Sequence, residues 1–420
     1  MIRYAKDGGV CRSDAVAPRA RNASRPRSPL GLLSKPISPP EPAPVLLVGN
    51  TGYGVLATVR ALRTAGYAPW LAVEEPGTYA ARSWATAGTV SVPDAGSDSE
   101  GFVRELAAAA ARLSAAAVLP SVETHFFALA GREADFAGIA LGTPPREVVE
   151  QATDKALLSG LAATVGLQTP PTIKVVRGDS EALGTFGFPT IVKPLRSWIQ
   201  NPDGTVSDGS ASYVCNKREA EEALEALPGG EGLVQPYTPG QLTSVSGVCW
   251  GGELVCALHQ VSPRIWPVPM GVSSYAETVP PDARLERGVG RLLRTIGWSG
   301  LFQAQFILTP RGERYLIDLN PRIYGSLALA IAAGLNLPAI WVDLLLGRRP
   351  KVGGYRVGVG FRVEAKEVRA LARMLVNGGA RRRALRGLLP RRGTTHAIFS
   401  LRDPIPFLTS VTNPFRWLGR

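Results

Sequence analysis

Apolar and polar positions follow three different rhythms along this 420-residue chain. Residues 1–44 have none. Arg, Pro, Ser and Ala dominate there and no apolar period recurs, so a disordered basic tail is expected. From Val45 onward, short runs of consecutive apolar residues alternate with amphipathic stretches. The run from Val45 to Gly49 predicts a buried strand, followed by a turn through Gly54 and a helix to about Ala65. Strands are predicted near Trp70–Val73, Thr89–Val92 and Ala117–Pro120, with helices near Tyr79–Trp84 and over Phe102–Leu113. Such alternation predicts an open parallel sheet, an α/β domain over 45–150.

Ligands on such a sheet bind beyond the carboxyl ends of its strands. Glu74, Glu75 and Glu123 fall there, as candidates for contacting a substrate or closing a site, or as plain surface carboxylates. Gly49, Gly52 and Gly54 do not reproduce the spacing of a dinucleotide-binding turn. A tight strand-to-helix connection accounts for them.

After Thr153 the texture changes to α+β. A helix over Asp154–Val165 leads to strands Thr172–Val176 and Thr190–Lys193. A polar, Gly-containing stretch from Arg196 to Ser210 precedes strand Ala211–Val214, helix Lys217–Leu227 and strand Gly232–Gln235. Then come a strand pair (Thr243–Trp250 and Leu254–Gln260), a long loop, helix Arg284–Ile296 and strands Leu301–Leu308 and Arg314–Leu319. Helices Leu327–Ala333 and Pro338–Leu346 close a body spanning 151–346, with lobes of about 151–231 and 232–346. A basic extension, 347–420, follows.

Charge sharpens this division. Of the net +13, residues 1–44 carry +5 and residues 345–420 carry +14, which leaves the body at −6. An enzyme of nucleic acids more often spreads positive charge over its working body, so the balance favours small-molecule chemistry with basic ends. The four cysteines and three histidines show no zinc or disulfide spacing. No run is apolar for long enough to span a bilayer, and a cytoplasmic location is expected. The extension is the exception. Glu364–Val376 reads as an amphipathic helix with Val368, Leu371 and Leu375 on one face. With Arg381–Arg383, Arg391–Arg392, Phe399, Phe407, Phe415 and Trp417 beyond it, the composition suits packing on the body or peripheral contact with an anionic membrane.

Four features of the body fit one chemistry. Lys193 ends an apolar strand, where a lone ammonium is costly to desolvate and usually meets an anion. Lys155 opens a helix, and the stretch Arg196–Ser210 offers backbone N–H groups where glycine permits close approach. Alternation places Asp318 and Asn320 on one strand face, and a hairpin across Thr309–Gly312 brings Gln305 onto it. Three oxygen donors on one wall suit Mg²⁺ shared with phosphate oxygens, with Arg322 beyond to hold a phosphoryl group.

The run Asp-Leu-Asn-Pro-Arg-x-x-Gly-Ser from Asp318 to Ser326, after a Gln-bearing strand, resembles the ATP-grasp superfamily. The set Gln305, Asp318, Asn320 and Arg322 is most similar to the large subunit of carbamoyl-phosphate synthetase. The resemblance implies an N-terminal open parallel sheet followed by a two-lobed ATP-grasp fold. It implies ATP and Mg²⁺ (or Mn²⁺) as cofactors, with Lys155 and Lys193 on the phosphates and Gln305, Asp318 and Asn320 on the metal. Adenine would be held through backbone groups of Gly232–Tyr237, which includes Gln235 and Tyr237. Gln241 stands near the ribose, where many relatives have glutamate. Arg322 and Arg264 are the catalytic candidates, for orienting a carboxylate or an acylphosphate. The implied activity is an ATP-dependent ligase that activates a small-molecule carboxylate and passes it to an amine or another nucleophile. Because glutamine replaces acid at 305 and 241, a protein that only binds nucleotide is the alternative.

Overall fold

The computed structural model describes residues 42–49, 52–74, 78–179, 181–196, 198–200, 206–208, 210–376 and 393–412. The expected tail through Glu41, Glu75, most of the Arg196–Ser210 stretch, the Arg-rich run 381–392, Phe415 and Trp417 lie outside them.

The first sheet is built from β1 (Pro44–Gly49), α1 (Tyr53–Thr64), β2 (Ala68–Val73), β3 (Gly88–Ser91), α2 (Ser99–Arg112), β4 (Ala117–Leu119), α3 (Glu123–Leu129) and β5 (Ala140–Leu141). Its order is β3-β2-β1-β4-β5, with every pair parallel. Val45 to Val48 are fully buried at its centre, the reason that β1 is apolar on both faces. Chain order reverses between β1 and β4, a topological switch point whose crevice opens at the carboxyl ends. The helix expected near Tyr79–Trp84 is only a 3₁₀ turn over Ala80–Arg82. Ser83 Oγ and the Trp84 N–H, which a longer helix would turn elsewhere, both donate to Asp403.

The second sheet and the elements around it are α4 (Arg146–Thr153), α5 (Lys155–Thr164), β6 (Ile173–Val176), β7 (Thr190–Lys193), a separate two-stranded hairpin of β8 (Trp198–Gln200) and β9 (Val206–Asp208), β10 (Ser212–Val214), α6 (Lys217–Glu225) and β11 (Glu231–Pro236). The order β10-β7-β11-β6 is antiparallel, and α6 packs on it over a small core of its own that includes Val175, Val192, Leu224 and Val234.

The third sheet is the largest. It uses β12 (Gln241–Trp250), β13 (Glu253–Trp266), β14 (Val272–Thr278), α7 (Ala283–Ile296), β15 (Gly300–Leu308), β16 (Arg314–Asn320), α8 (Leu327–Ala333), α9 (Leu337–Leu345), β17 (Gly360–Arg362), α10 (Glu364–Val376), β18 (Thr394–His396) and α11 (Ile405–Thr412). The strand order is β16-β15-β12-β13-β14-β17-β18. One continuous core joins it to the first sheet, with Leu47, Val55 and Leu71 sharing a cluster with Phe302, Phe306 and Trp341.

Two expectations are corrected here. The long loop after Gln260 is mostly strand, because β13 runs on to Trp266 and pairs with β14. Pro263 hides this in the sequence. It falls within the register shift between Val261 and Arg264, where a missing N–H costs no ladder bond. The amphipathic face assigned to α10 is also wrong. Leu371 is buried, but Val368 is 57% exposed, and the inward face is held by the buried carboxylate of Glu367. The described part of the extension packs on the body. Asp403, buried, accepts from Arg60 Nε (2.8 Å), Ser83 Oγ (2.6 Å) and Trp84 N (3.0 Å), and Phe399 meets Phe407 edge to face.

Candidate active site

Asp154 explains the position of Lys155. Its side chain accepts from the N–H groups of Ala156 and Leu157 at 2.9 and 3.0 Å, capping α5 and making Lys155 the first helical residue. A cation there opposes the positive end of the helix dipole and needs an anion nearby. It finds Asp318 Oδ1 at 3.3 Å. Lys193 arrives from the second sheet. At the end of β7 its ammonium donates to the carbonyl of Ile317 at 3.1 Å, reaching across to β16. Burial pushes its pKa down to about 8; the ammonium of Lys155 adds to the fall and Asp318 opposes it. The result is a cationic pair, Lys193 buried and Lys155 half-buried, around one carboxylate, supplied by α5, β7 and β16.

The predicted wall is present. Gln305 pairs with Asp318 and Gln303 with Asn320 across the β15–β16 hairpin, so all four side chains share a face. Below the wall runs a buried amide and hydroxyl network that the sequence reading missed. Gln303 Nε2 donates to Ser326 Oγ at 3.1 Å and to Ser244 Oγ at 3.4 Å, and Ser326 Oγ donates to Gln260 Oε1 at 3.1 Å. Gln303 Oε1 therefore faces Gln305 and accepts its Nε2 at 3.3 Å. That contact engages the nitrogen of the Gln305 amide and so orients the group. Ser326, the last residue of the motif, anchors this network. Alternation along β15 from Gln305 was the signal that would have found Gln303.

Among the described residues no group of three or more His, Cys, Asp or Glu side chains forms a metal cluster. The wall nevertheless suits a hard cation in part. Asp318 Oδ1 is buried with the Lys155 ammonium 3.3 Å away, and the remaining donors are amide oxygens, of which Asn320 Oδ1 accepts from Arg322. One carboxylate and two amides leave several positions of an octahedral Mg²⁺ to water and phosphate oxygens.

Arg322 extends the wall toward the first sheet. Its Nε donates to Glu123 Oε1 at 2.7 Å, Nη2 to Asn320 Oδ1 at 2.8 Å and Nη1 to the Ile323 carbonyl at 3.1 Å. Glu123 opens α3 just beyond β4, beside the switch point. The loop that carries it is braced. His125 Nδ1 accepts from the N–H of Ser121 (3.2 Å), so the proton is on Nε2, which donates to Glu74 Oε2 at 3.1 Å. Glu74 also accepts from the N–H of Ala95 at 2.9 Å, which makes it a brace for the loop. Gly54 permits the close approach that brings these parts together. A Cβ there would lie 2.6 Å from Ile323 Cγ2 and from the Tyr324 carbonyl oxygen. Gly54 of the cluster after β1 thus serves packing against the motif.

Other candidates fall elsewhere. Gln235 is buried, with Nε2 donating to Thr172 Oγ1 at 2.7 Å, and its carbonyl accepts from Thr190 Oγ1. Its side chain and carbonyl are therefore both engaged in holding the connector. The N–H of Tyr237 donates to the Pro189 carbonyl, and its ring meets Tyr213 edge to face at 5.0 Å. Gln241 opens β12 and is exposed. Arg264 is not brought to the wall. Its guanidinium is paired with Glu367 of α10 and lies 4.4 Å above the Tyr275 ring, and Ser274 Oγ holds the other carboxylate oxygen at 3.0 Å. This buried charge pair fastens α10 to the large sheet.

Residues 230–368 match the family described as "ATP-grasp in the biosynthetic pathway with Ter operon". Over 228 residues the chain is 27% identical to the N-terminal section of the carbamoyl phosphate synthase large chain of Aquifex aeolicus (strain VF5), covering 50% of this chain and 39% of that one. The chain thus spans about two fifths of the length of this curated relative. Among solved structures, biotin carboxylase from Campylobacter jejuni in complex with β,γ-ATP superposes with a TM-score of 0.58 at 16% identity, covering 75% of this chain and 74% of that one. The L-amino acid ligase from Bacillus licheniformis gives 0.55 at 15%, covering 73% and 74%. Fold, motif and these likenesses make the chain similar to proteins of the ATP-grasp superfamily, most directly over residues 230–368.

Proposed function

We propose that this protein is a Mg-ATP-dependent ligase that activates a small-molecule carboxylate and transfers it to an amine or another nucleophile. The convergence of Lys155, Lys193 and Asp318 from two sheets supports this reading above all. Bound Mg-ATP would supply the phosphoryl group that turns the carboxylate into an acylphosphate. Lys193 would exchange its carbonyl partner for phosphate oxygens, and Lys155 would neutralise charge from the helix start. Asp318, Asn320 and Gln305 would hold the cation, with Gln303 fixing the Gln305 amide. Arg322 would orient the carboxylate or the transferring group. This chemistry rests on alignment and charge stabilisation more than on covalent participation. The fold of the biotin carboxylase and amino acid ligase structures, and the curated relative, point the same way.

The test is ADP release from Mg-ATP in a fractionated bacterial metabolite extract, with Asp318→Ala as control. Extract-dependent ADP at least tenfold above the control is expected. Tight nucleotide binding without any extract-dependent turnover would favour the binding-only reading that Gln305 suggests.

A further inference from the structure

The Glu123–Arg322 pair has an unusual place for an ion pair. It joins the carboxyl end of β4, at the switch point of the first sheet, to the residue that follows the wall on β16. The two side chains are only 12% and 26% exposed, so the pair is largely desolvated yet still reachable. Glu123 is held on a braced loop by the Ser121–His125–Glu74 contacts, and Arg322 is held by Asn320 Oδ1 and the Ile323 carbonyl. Both charges are therefore preorganised, and they cancel each other.

A substrate carboxylate that took the Nε donor of Arg322 would displace Glu123 and leave a mostly desolvated carboxylate without its cation. That exchange is unfavourable. A ligand carrying its own ammonium beside its carboxylate removes the difficulty, because each protein charge receives a new partner when the old pair opens. We propose that Glu123 and Arg322 form the recognition element for an α-amino acid substrate, with the ammonium on Glu123 and the carboxylate on Arg322. The assignment rests on the ligase reading for its consequence, since the carboxylate on Arg322 is the one activated, but the binding it describes is testable without turnover. Glu123 is a specificity residue in this scheme and takes no proton in the reaction.

The experiment uses the full chain and two probe pools, the twenty protein amino acids and their des-amino carboxylic acids. Thermal unfolding is followed with each pool, with and without Mg-AMP-PNP, for the wild type, Glu123→Gln and Glu123→Asp. The amino acid pool should stabilise the wild type and the des-amino pool should not. Resolving the pool gives the active compound, whose apparent affinity should fall at least tenfold in Glu123→Gln and partly recover in Glu123→Asp. A nucleotide-induced shift retained in Glu123→Gln shows that the variant is folded. Equal response to both pools, no response to either, or an unchanged preference in Glu123→Gln would overturn the assignment. If nucleotide fails to bind while the Glu123-dependent amino acid shift remains, the ligase reading falls and this one stands.

Discussion

Replacing Lys193 by Met should stabilise the fold and disable nucleotide binding at once. Burial lowers the Lys193 pKa from 10.5 to about 8, so keeping the ammonium charged at pH 7 costs roughly 3 kcal/mol at about 1.4 kcal/mol per pH unit. Met keeps the apolar stem and removes the charge. The lost hydrogen bond to the Ile317 carbonyl takes back about 1 kcal/mol, which leaves a net gain of about 2 kcal/mol. The pH dependence has a definite sign. Between pH 8 and 10.5 the unfolded chain holds a proton that folded Lys193 has released, so wild-type stability rises with pH across that window. The advantage of Lys193→Met should therefore shrink there. Nucleotide acts in the opposite sense, because phosphate requires the charged amine. Wild-type affinity for Mg-AMP-PNP should be flat below pH 8 and weaken by up to about tenfold per pH unit above it. The variant should bind about 10- to 100-fold more weakly at pH 7, the worth of a charge-assisted hydrogen bond. Urea unfolding at pH 7 and 9.5, with calorimetric titration at pH 7, 8 and 9, measures both. A variant less stable by more than 1 kcal/mol that binds nucleotide within threefold of wild type would refute the reasoning.

Two further substitutions probe what holds the wall and the extension. Gln303→Met removes the acceptor that holds the Gln305 amide nitrogen and frees that amide to rotate, and supporting groups of this kind are typically worth 10- to 100-fold in metal affinity. The Mg²⁺ concentration for half-maximal ADP release should rise in that range; an unchanged Mg²⁺ requirement would remove Gln303 from the site. Glu367→Gln leaves the Arg264 guanidinium buried without its counter-ion and should cost about 3 kcal/mol in urea unfolding, while Mg-AMP-PNP affinity of the folded protein stays at wild-type level. A large loss of nucleotide affinity would instead return Arg264 to the list of ligand-contacting residues.

What could be read from sequence divides along a physical line. The wall was legible because it is local: a short turn closes the β15–β16 hairpin, and alternation then decides which side chains share a face. Lys193 was legible because a charge ending an apolar strand demands an explanation wherever its partner lies. Pairings between distant segments follow no such period. Arg322 with Glu123, Arg264 with Glu367 and Arg60 with Asp403 are separated by 199, 103 and 343 residues, and nothing in the spacing of either member names the other. Arg264 shows the consequence, since in a predicted loop it stood as a catalytic candidate, and only the fold reveals the buried glutamate that occupies it. The nucleotide end of the candidate site lies mostly within the motif and the two lysines, so its chemistry survives in local pattern. The proposed substrate end lies where the first sheet meets the motif, through Glu123 and the approach allowed by Gly54, and that juxtaposition exists only once the chain is folded. This is why the proposed reaction class follows from local pattern, while the proposed class of carboxylate rests on the folded Glu123–Arg322 pair.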